Sequence, residues 1–250
     1  MNEAWATTKA KISNRLARHL RVDSFRLRND TPMVSFTFDD IPKSAATTGA
    51  GILEDHGARG TFYIAGGQVG VTSPNWPGVD AQDIVALHRK GHEIGCHTFS
   101  HKRTCDLDAQ SLAEEIERNR RYLRTLDPSI KTENFAYPFG YGSLLRKRQL
   151  RTAFRSCRGI VRGVNHGTVD LQFLRAVPLV DLHINRDGIE RAFDEAQINN
   201  GWLIFYTHDV TDRPSPYGCS PALVNHALEA ASRRQIPVLN TAEALRCAGV

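Results

Sequence analysis

From Pro32 onward, short β-prone runs alternate with segments of helical periodicity, and this alternation limits the possible folds more than any other feature of the chain. Strands that are joined by helices pair in parallel, because the helix carries the chain back over the sheet. About seven such units in one chain form a parallel sheet that closes or nearly closes. We therefore predict an α/β fold over residues 32–250, a distorted (β/α)7-type barrel that forms a single domain.

The individual elements are predicted from apolar runs bounded by Gly, Pro, Asn and Asp. The predicted strands cover residues 33–38, 61–65, 93–96, 135–137, 157–161, 177–180 and 202–206, with 236–239 as a candidate for a last strand. The predicted helices cover residues 44–56, 81–90, 107–126, 142–153, 188–199, 221–234 and 241–248.

The composition is that of an ordinary globular domain, with 41% hydrophobic and 24% charged residues. No apolar run approaches the ~18 residues of a membrane-spanning helix. The N-terminus lacks an apolar segment followed by a small-residue cleavage site, so no signal peptide is expected. Five cysteines without a CxxC pair favour a reducing compartment. We therefore expect a cytoplasmic protein, with a peripheral position at the inner membrane face as one option.

Residues 1–31 form an extension that carries most of the net positive charge. Its first 30 residues hold a charge of +4, out of +5 for the whole chain. Ile12, Leu16 and Leu20 recur every four residues, which predicts a short amphipathic basic helix. Three interpretations stay open: a helix packed on the barrel, weak contact of residues 9–21 with an anionic membrane, or a partner. Nucleic-acid binding is not expected, because no aromatic platform accompanies the charge.

Polar residues follow several of the predicted strands. Asp39 and Asp40 end the first strand, His97 ends the third, and His208 follows the run that begins at Trp202. The carboxyl ends of parallel barrel strands meet at one edge, where active sites form. Each residue alone has an ordinary explanation as part of a turn or cap, but their joint occurrence in this order predicts a metal site.

The residue types indicate which metal chemistry is expected. Asp40, His97 and His101 are suitable ligands for one divalent ion, with zinc the first choice. Three protein ligands with an open position are typical of a hydrolytic centre, in which the ion acidifies a water molecule and polarises a carbonyl group.

Acid and base groups are also available near the predicted ligands. Asp39 adjoins a ligand in sequence without being one, which makes it the candidate general base. His208 is the candidate general acid for the departing amine. Asp181 and Asp209 are both candidates for orienting a histidine.

Three segments together resemble the NodB-type polysaccharide deacetylases, carbohydrate esterase family four, over about residues 32–210. They are Thr37-Phe38-Asp39-Asp40, His97-Thr98-Phe99-Ser100-His101 and the run from Leu203 to His208. The resemblance implies that Asp39 is the base and that Asp40 and the two histidines hold the metal. It also implies that the segment Pro138-Phe139-Gly140 lines the groove and that the N–H of Phe139 donates to the oxyanion.

The chain departs from the family pattern at several positions. Ala136 stands where an arginine normally holds the base aspartate, and we predict that Arg175 reaches the same place from another strand. Tyr206 replaces a leucine beside the acetyl pocket, and the family's fourth motif is only faintly present at Asp181. The sequence therefore predicts a divergent member with its metal ligands and acid–base residues in place.

The expected activity is a metal-dependent hydrolase that removes N-acetyl or O-acetyl groups from an amino-sugar glycan or oligosaccharide. Two alternatives stay open: a deacylase of a lipid-linked sugar or of a small amide or imide, and a barrel that binds glycans without cleaving them. Trp76 is a candidate for stacking on a sugar ring. The sequence leaves the glycan, its length and the oligomeric state open.

Overall fold

The structure is a computed structural model that describes the backbone of residues 2–250 and the side chains of residues 11–250. The strands are β1 (Ser24–Arg26), β2 (Met33–Asp39), β3 (Thr61–Ile64), β4 (Glu93–Cys96), β5 (Asn134–Ala136), β6 (Ser156–Arg158), β7 (Thr168–Asp170), β8 (Val177–Pro178) and β9 (Trp202–Thr207). The helices are α1 (Asn2–His19), α2 (Ala50–Asp55), α3 (Ala81–Arg89), α4 (Ala109–Leu126), α5 (Leu144–Arg151), α6 (Arg186–Ile198), α7 (Pro221–Arg233) and α8 (Thr241–Cys247).

Seven parallel strands form one curled sheet in the order β6-β5-β4-β3-β2-β9-β8. The two edges of this sheet approach each other, because Leu174, just before β8, forms a parallel bridge with Arg158 of β6. Ala176 also donates its N–H to the carbonyl of Val161 at 3.0 Å. The arrangement is a distorted (β/α)7 barrel in a single domain, as predicted.

Strand β2 lies at the centre of the sheet and is buried along its whole length, as expected for a strand covered on both faces. Its alternate side chains Phe36 and Phe38 belong to the core between the sheet and the helices, where Phe38 stacks on Phe62 with ring centroids 4.7 Å apart. Ser35 and Thr37 point to the opposite face. Asp39 continues that polar row and therefore points into the barrel.

Most of the predicted strands and helices are present, with ends shifted by a few residues. The predicted helix over 44–56 is α2 preceded by a π-helical turn at Ala45–Gly49. The segment 236–239 makes one bridge, between Val34 and Val238, instead of a full strand. The antiparallel pair of β1 and β7 was not predicted; both strands are only three residues long and have little apolar character of their own.

Helix α1 packs against α5 and the turn Thr104–Asp106. Asn14 and Ala17 are the side chains of α1 that are buried against the barrel, among those that the structure describes. The amphipathic helix therefore packs on the barrel, one of the three open interpretations, but not through its apolar stripe: Ile12, Leu16 and Leu20 are 56%, 43% and 48% exposed. The helix is oriented instead by polar contacts, such as the N–H of Gly142 that donates to Asn14 Oδ1 at 3.1 Å.

The extension beyond α1 joins the barrel through β1, which pairs with β7. A domain boundary at residue 31 stays a prediction. No helix in the described part of the chain is both long and apolar enough to span a membrane.

Candidate active site

The site lies at the carboxyl edge of the sheet, where the chain leaves β2 in a strained conformation. Asp40 has φ 55° and is followed by Ile41 with φ 25°, a region that residues with a Cβ rarely adopt. Thr98, His101 and Phe139 also have positive φ. Such outliers gather at functional sites, where packing holds side chains in orientations that relaxed backbone would not give.

The predicted ligands Asp40, His97 and His101 come together. Their ligand atoms all lie within 4.8 Å of one another. The Nε2 atoms of His101 and His97 are 2.9 and 3.3 Å from Asp40 Oδ1. Although these are short distances, Asp40 Oδ1 is buried and makes no hydrogen bond of acceptable geometry. A buried carboxylate oxygen without a hydrogen bond is costly, and a cation shared with the two imidazoles would satisfy it.

The tautomer and the charge of this cluster suit cation binding. The carbonyl of Ala136 can only accept, so His97 Nδ1, 2.8 Å away, carries the proton and leaves Nε2 free towards Asp40. Burial disfavours the ionised carboxyl of Asp40, but the imidazoles of His101 and His97 outweigh burial and hold its pKa well below the usual range. Asp40 is therefore a carboxylate over the whole working pH range.

Asp39 is held by Arg158, a residue that the sequence interpretation did not include. Arg158 Nη2 donates to both carboxylate oxygens of Asp39, with 2.6 Å to Oδ2. The guanidinium is 1% exposed and lies between the rings of Tyr63 and Tyr206, 5.2 and 5.3 Å from their centroids. Burial would lower the pKa of Arg158, but Asp39 raises it, so the pair is ionic.

The predicted contact between Arg175 and Asp39 is wrong. Arg175 is exposed, and its Nη1 donates to the carbonyl of Arg162 at 3.1 Å. The arginine missing at Ala136 comes from the neighbouring strand, because Arg158 on β6 is the register partner of Ala136 on β5. The signal that could have found it was a charged residue inside the predicted strand 157–161.

His208 is oriented by a backbone group. Its Nδ1 is 3.1 Å from the carbonyl of Tyr217, which can only accept, so Nε2 faces Asp40 Oδ2 at 3.9 Å. The ring of Trp76 stacks on the imidazole, with centroids 5.6 Å apart. Asp181 does not contact His208 but accepts from the N–H and hydroxyl of Ser220.

Asp209, the other candidate for orienting a histidine, does not contact one either. Its carboxylate accepts from the N–H and the hydroxyl of Ser215, at 2.8 and 2.6 Å. In both cases the carboxylate holds backbone instead: Asp209 fixes the loop that follows its own strand, and Asp181 binds Ser220 at the start of α7.

The groove residues border one cavity with the candidate ligands. Phe139 is 57% exposed, and its ring lies 4.4 Å from that of His101. Pro138 is buried behind it, and Tyr206 forms another part of the wall. The cavity has a volume of about 540 Å³ and is also bordered by Asp39, Asp40, His97, Trp76, Ile160, His208 and Tyr217. The N–H of Phe139 as an oxyanion donor stays a prediction.

A buried residue of α4 braces the loop that carries the histidines. Glu115 accepts hydrogen bonds from the N–H groups of Phe99 and Ser100 at 3.0 and 2.7 Å. Glu115 is 8% exposed, so the His97–His101 segment is tied to a helix that is part of the core. Sequence reasoning missed Glu115, which looks like an ordinary charged residue of an amphipathic helix.

These features place the protein among the α/β barrels that carry a candidate metal site at the carboxyl edge of the sheet. More narrowly, residues 26–155, just over half of the chain, match the family model described as polysaccharide deacetylase. The chain belongs to that family.

Among curated proteins, the chain is similar to a chitooligosaccharide deacetylase from Azorhizobium caulinodans. The two are 27% identical over 116 residues, which cover 46% of this chain and 51% of that protein. The chain thus spans about half the length of this relative.

Two solved structures illustrate the range of proteins that share the fold. A family 4 acetyl xylan esterase from Clostridium thermocellum, in complex with a cobalt ion, is 20% identical with a TM-score of 0.60, covering 87% of this chain and 92% of that one. A family 4 pseudoenzyme from Bacillus anthracis is 15% identical with a TM-score of 0.62, covering 88% and 68%. Because an esterase and a pseudoenzyme match equally well, the fold alone does not decide activity.

Proposed function

We propose that this protein is a metal-dependent hydrolase that removes N-acetyl or O-acetyl groups from an amino-sugar glycan or oligosaccharide. The observation that carries the proposal is the convergence of Asp40, His97 and His101 on one buried carboxylate oxygen that lacks a hydrogen bond. The site opens into the same cavity as Asp39 and His208. The names of the relatives support the substrate class, and the side chains support the reaction type.

Asp40, His97 and His101 would hold the divalent ion, with zinc as the first choice because two imidazoles and one carboxylate suit it. When bound, the ion lowers the pKa of a coordinated water molecule and polarises the carbonyl oxygen of the acetyl group. The chain contributes the orientation: His97 is fixed by the Ala136 carbonyl, and the backbone of the His97–His101 loop is fixed by Glu115.

Asp39 takes the proton of the attacking water as general base. Its pairing with Arg158 fixes the orientation of the carboxylate and prevents it from turning onto the ion as a further ligand. Asp39 is 4% exposed but borders the cavity. A base with one fixed partner and access to the reaction space can receive a proton without losing its position.

His208 gives a proton to the departing amine or alcohol as general acid. The Tyr217 carbonyl holds the proton on Nδ1, so Nε2 faces the cavity and exchanges the catalytic proton. Stacking on Trp76 limits the rotation of the ring. Tyr217 thereby has the orienting role for which Asp181 and Asp209 were the candidates.

Tyr206 borders the acyl-binding part of the cavity. Its ring also packs on the guanidinium of Arg158, so the same side chain shapes the pocket and covers the clamp on Asp39. A tyrosine occupies more space than a leucine, and a short acyl group such as acetyl is therefore the favoured substrate. The cavity of about 540 Å³ lies within the usual range of small-ligand sites.

The test combines metal content with activity. The purified protein is stripped with a chelator, reloaded with zinc, and incubated with N-acetylglucosamine oligomers of increasing length and with acetylated xylan, with acetate release as the readout. We expect one ion per chain and zinc-restored acetate release. A protein that binds zinc but releases no acetate from any of these would point to another acyl substrate, and one that binds no zinc would overturn the proposal.

A second candidate is deacylation of a lipid-linked amino sugar. It is favoured by the exposed apolar stripe of α1, because α1 packs on the turn Thr104–Asp106 that directly follows the His97–His101 segment. Acetate release from a membrane-embedded amino-sugar lipid, with none from soluble oligomers, would select this candidate.

A further inference from the structure

Helix α1 leaves an apolar stripe in solvent beside a row of basic residues. Ile12, Leu16 and Leu20 are 56%, 43% and 48% exposed. At 100° per residue they lie on adjacent positions of one face. The exposed basic residues of the same helix, Lys11, Arg15, Arg18 and His19, run along the side of the stripe. The helix therefore presents an apolar edge and a cationic edge on its outward side.

This orientation is fixed by the contacts on the inward side. Asn14 and Ala17 are buried against the barrel, and Lys147 Nζ donates to the carbonyls of Ala17 and Leu20 at 2.7 and 2.9 Å. Turning the helix to bury its stripe would break these bonds and leave two hydrogens of a buried ammonium group without acceptors. The exposed stripe is thus a property of the folded protein.

The positive charge continues beyond the end of α1. Arg21 borders a surface cavity of about 480 Å³ together with Arg148 and Arg151 of α5. Asp23 pairs with Arg151 at 3.2 Å, which leaves Arg21 and Arg148 as exposed cations at this end of the helix. An anionic lipid surface would complement this arrangement, because its headgroups attract the cations and its acyl chains accept the apolar stripe.

We infer that α1 docks the protein on an anionic lipid surface, with Ile12, Leu16 and Leu20 entering the headgroup boundary and the basic residues contacting lipid phosphates. A second copy of the chain fits less well, because two such faces would bring the basic rows Lys11, Arg15 and Arg18 into mutual repulsion. The three apolar side chains are too few for stable anchoring alone, so binding is reversible and depends on charge.

Docking would place the active-site rim near the membrane. Gly142, on the loop that follows Phe139, donates its N–H to Asn14 of α1, and Ser13 Oγ donates to Ser143 Oγ at 3.3 Å. The helix is therefore joined to a loop of the groove. Membrane docking is a property separate from the proposed deacetylation, and it can be measured without an activity assay.

The experiment is flotation of the full chain with phosphatidylcholine vesicles that contain or lack phosphatidylglycerol, at low and high salt. We expect binding to the anionic vesicles only, weakened by salt. Replacing two cations by R15Q and R18Q should weaken binding about fivefold for each charge removed. Replacing the stripe by L16S and L20S should weaken it about tenfold or more through loss of apolar burial.

Matched controls come from other surfaces of the same chain. Ile198 is 82% exposed at the end of α6, and Arg121 and Arg191 are exposed on α4 and α6. I198S and the pair R121Q and R191Q should bind as the parent does. Acetate release from soluble oligomers should be the same for all variants. Absence of binding to anionic vesicles at low salt, equal losses in the controls, or a solution dimer that L16S dissociates would overturn the inference.

Discussion

Among the side chains that the structure describes, one lysine and one arginine form buried ion pairs with aspartates, and the two pairs differ in what surrounds the carboxylate. Lys147 and Asp170 join α5 to β7, and Arg158 and Asp39 join β6 to β2. Asp170 also accepts from the N–H groups of Val22, Asp23 and Gln172. In the described part of the chain, Asp39 has Arg158 as its only hydrogen-bond donor.

The positively charged partners, Lys147 and Arg158, also differ in how fully they are hydrogen-bonded. Lys147 Nζ donates to two carbonyls besides Asp170, which uses all three of its hydrogens. Arg158 Nε is buried and unpaired. The ammonium hydrogens of Lys147 are all used in hydrogen bonds, and its partner Asp170 holds the backbone at Val22. The carboxylate of Asp39, in contrast, can accept further hydrogen bonds and borders a cavity. A buried ion pair with unused acceptors at a cavity is a functional candidate, and one whose groups are all paired is structural.

The largest effect that separates the pairs is expected for Asp39→Asn. The amide cannot accept the proton of water, so acetate release should fall by about 10²–10⁴-fold. Zinc content, measured by elemental analysis, should be unchanged because Asp40, His97 and His101 remain. Asp170→Asn is the matched change, and it should leave the specific activity of the folded fraction near that of the parent. Equal activity losses in the two variants would remove the distinction.

The second expected effect is on stability, from Lys147→Met. Removing one partner of a buried ion pair leaves an uncompensated charge, which typically costs about 3–5 kcal/mol in the free energy of unfolding. Urea denaturation followed by tryptophan fluorescence measures the change. Lys43→Met breaks an exposed pair with Asp80 and should leave the midpoint nearly unchanged. A similar midpoint for both variants would mean that Lys147 does not hold the extension.

Much of the fold and part of the site could be predicted because they depend on local sequence. The run Met33–Asp39 shows where a strand ends, and parallel topology brings the ends of neighbouring strands together. This reasoning correctly brought Asp40, His97 and His101 into one place. It needed no knowledge of which residues are opposite each other in the sheet.

The clamp on Asp39 could not be predicted in this way, because it depends on register. Arg158 reaches Asp39 only because β5 and β6 pair with Ala136 opposite Arg158. Periodicity does not specify that pairing, and Arg175, only two residues before β8, was an equally good candidate from the sequence. The same limit applies to α1: its apolar period was visible, but Asn14, Ala17 and Lys147 decide which side faces the barrel.

A smaller effect is expected from Arg158→Ala. Loss of a partner that orients a group beside a metal typically costs about 10–100-fold in activity. Without the guanidinium, Asp39 is free to turn towards the ion, so turnover should fall while zinc content stays the same. Arg175→Ala is the control, since Arg175 contacts Arg162 instead, and it should retain full activity. If Arg158→Ala also loses zinc, Arg158 supports the structure of the metal site and does not act only by orienting Asp39.

The smallest and most specific effect is a rescue. Arg158 and Ala136 are opposite each other on adjacent strands, so removing the Arg158 side chain frees space beside Ala136, which is 0% exposed. We expect that adding Ala136→Arg to Arg158→Ala raises turnover about tenfold, because an arginine on β5 can again hold Asp39. An orienting partner of this kind typically contributes about 10–100-fold in activity.

Ala136→Arg alone serves as the reference for that rescue. It would bury a second guanidinium beside that of Arg158, and two adjacent buried cations destabilise the fold. The single variant should therefore unfold at lower urea concentration than the double variant, although it carries fewer changes. If the double variant is no more active than Arg158→Ala, and no more stable than Ala136→Arg, the guanidinium cannot act from β5 in this barrel. The clamp would then depend on the particular packing of Arg158 between Tyr63 and Tyr206, and not on the position of one positive charge.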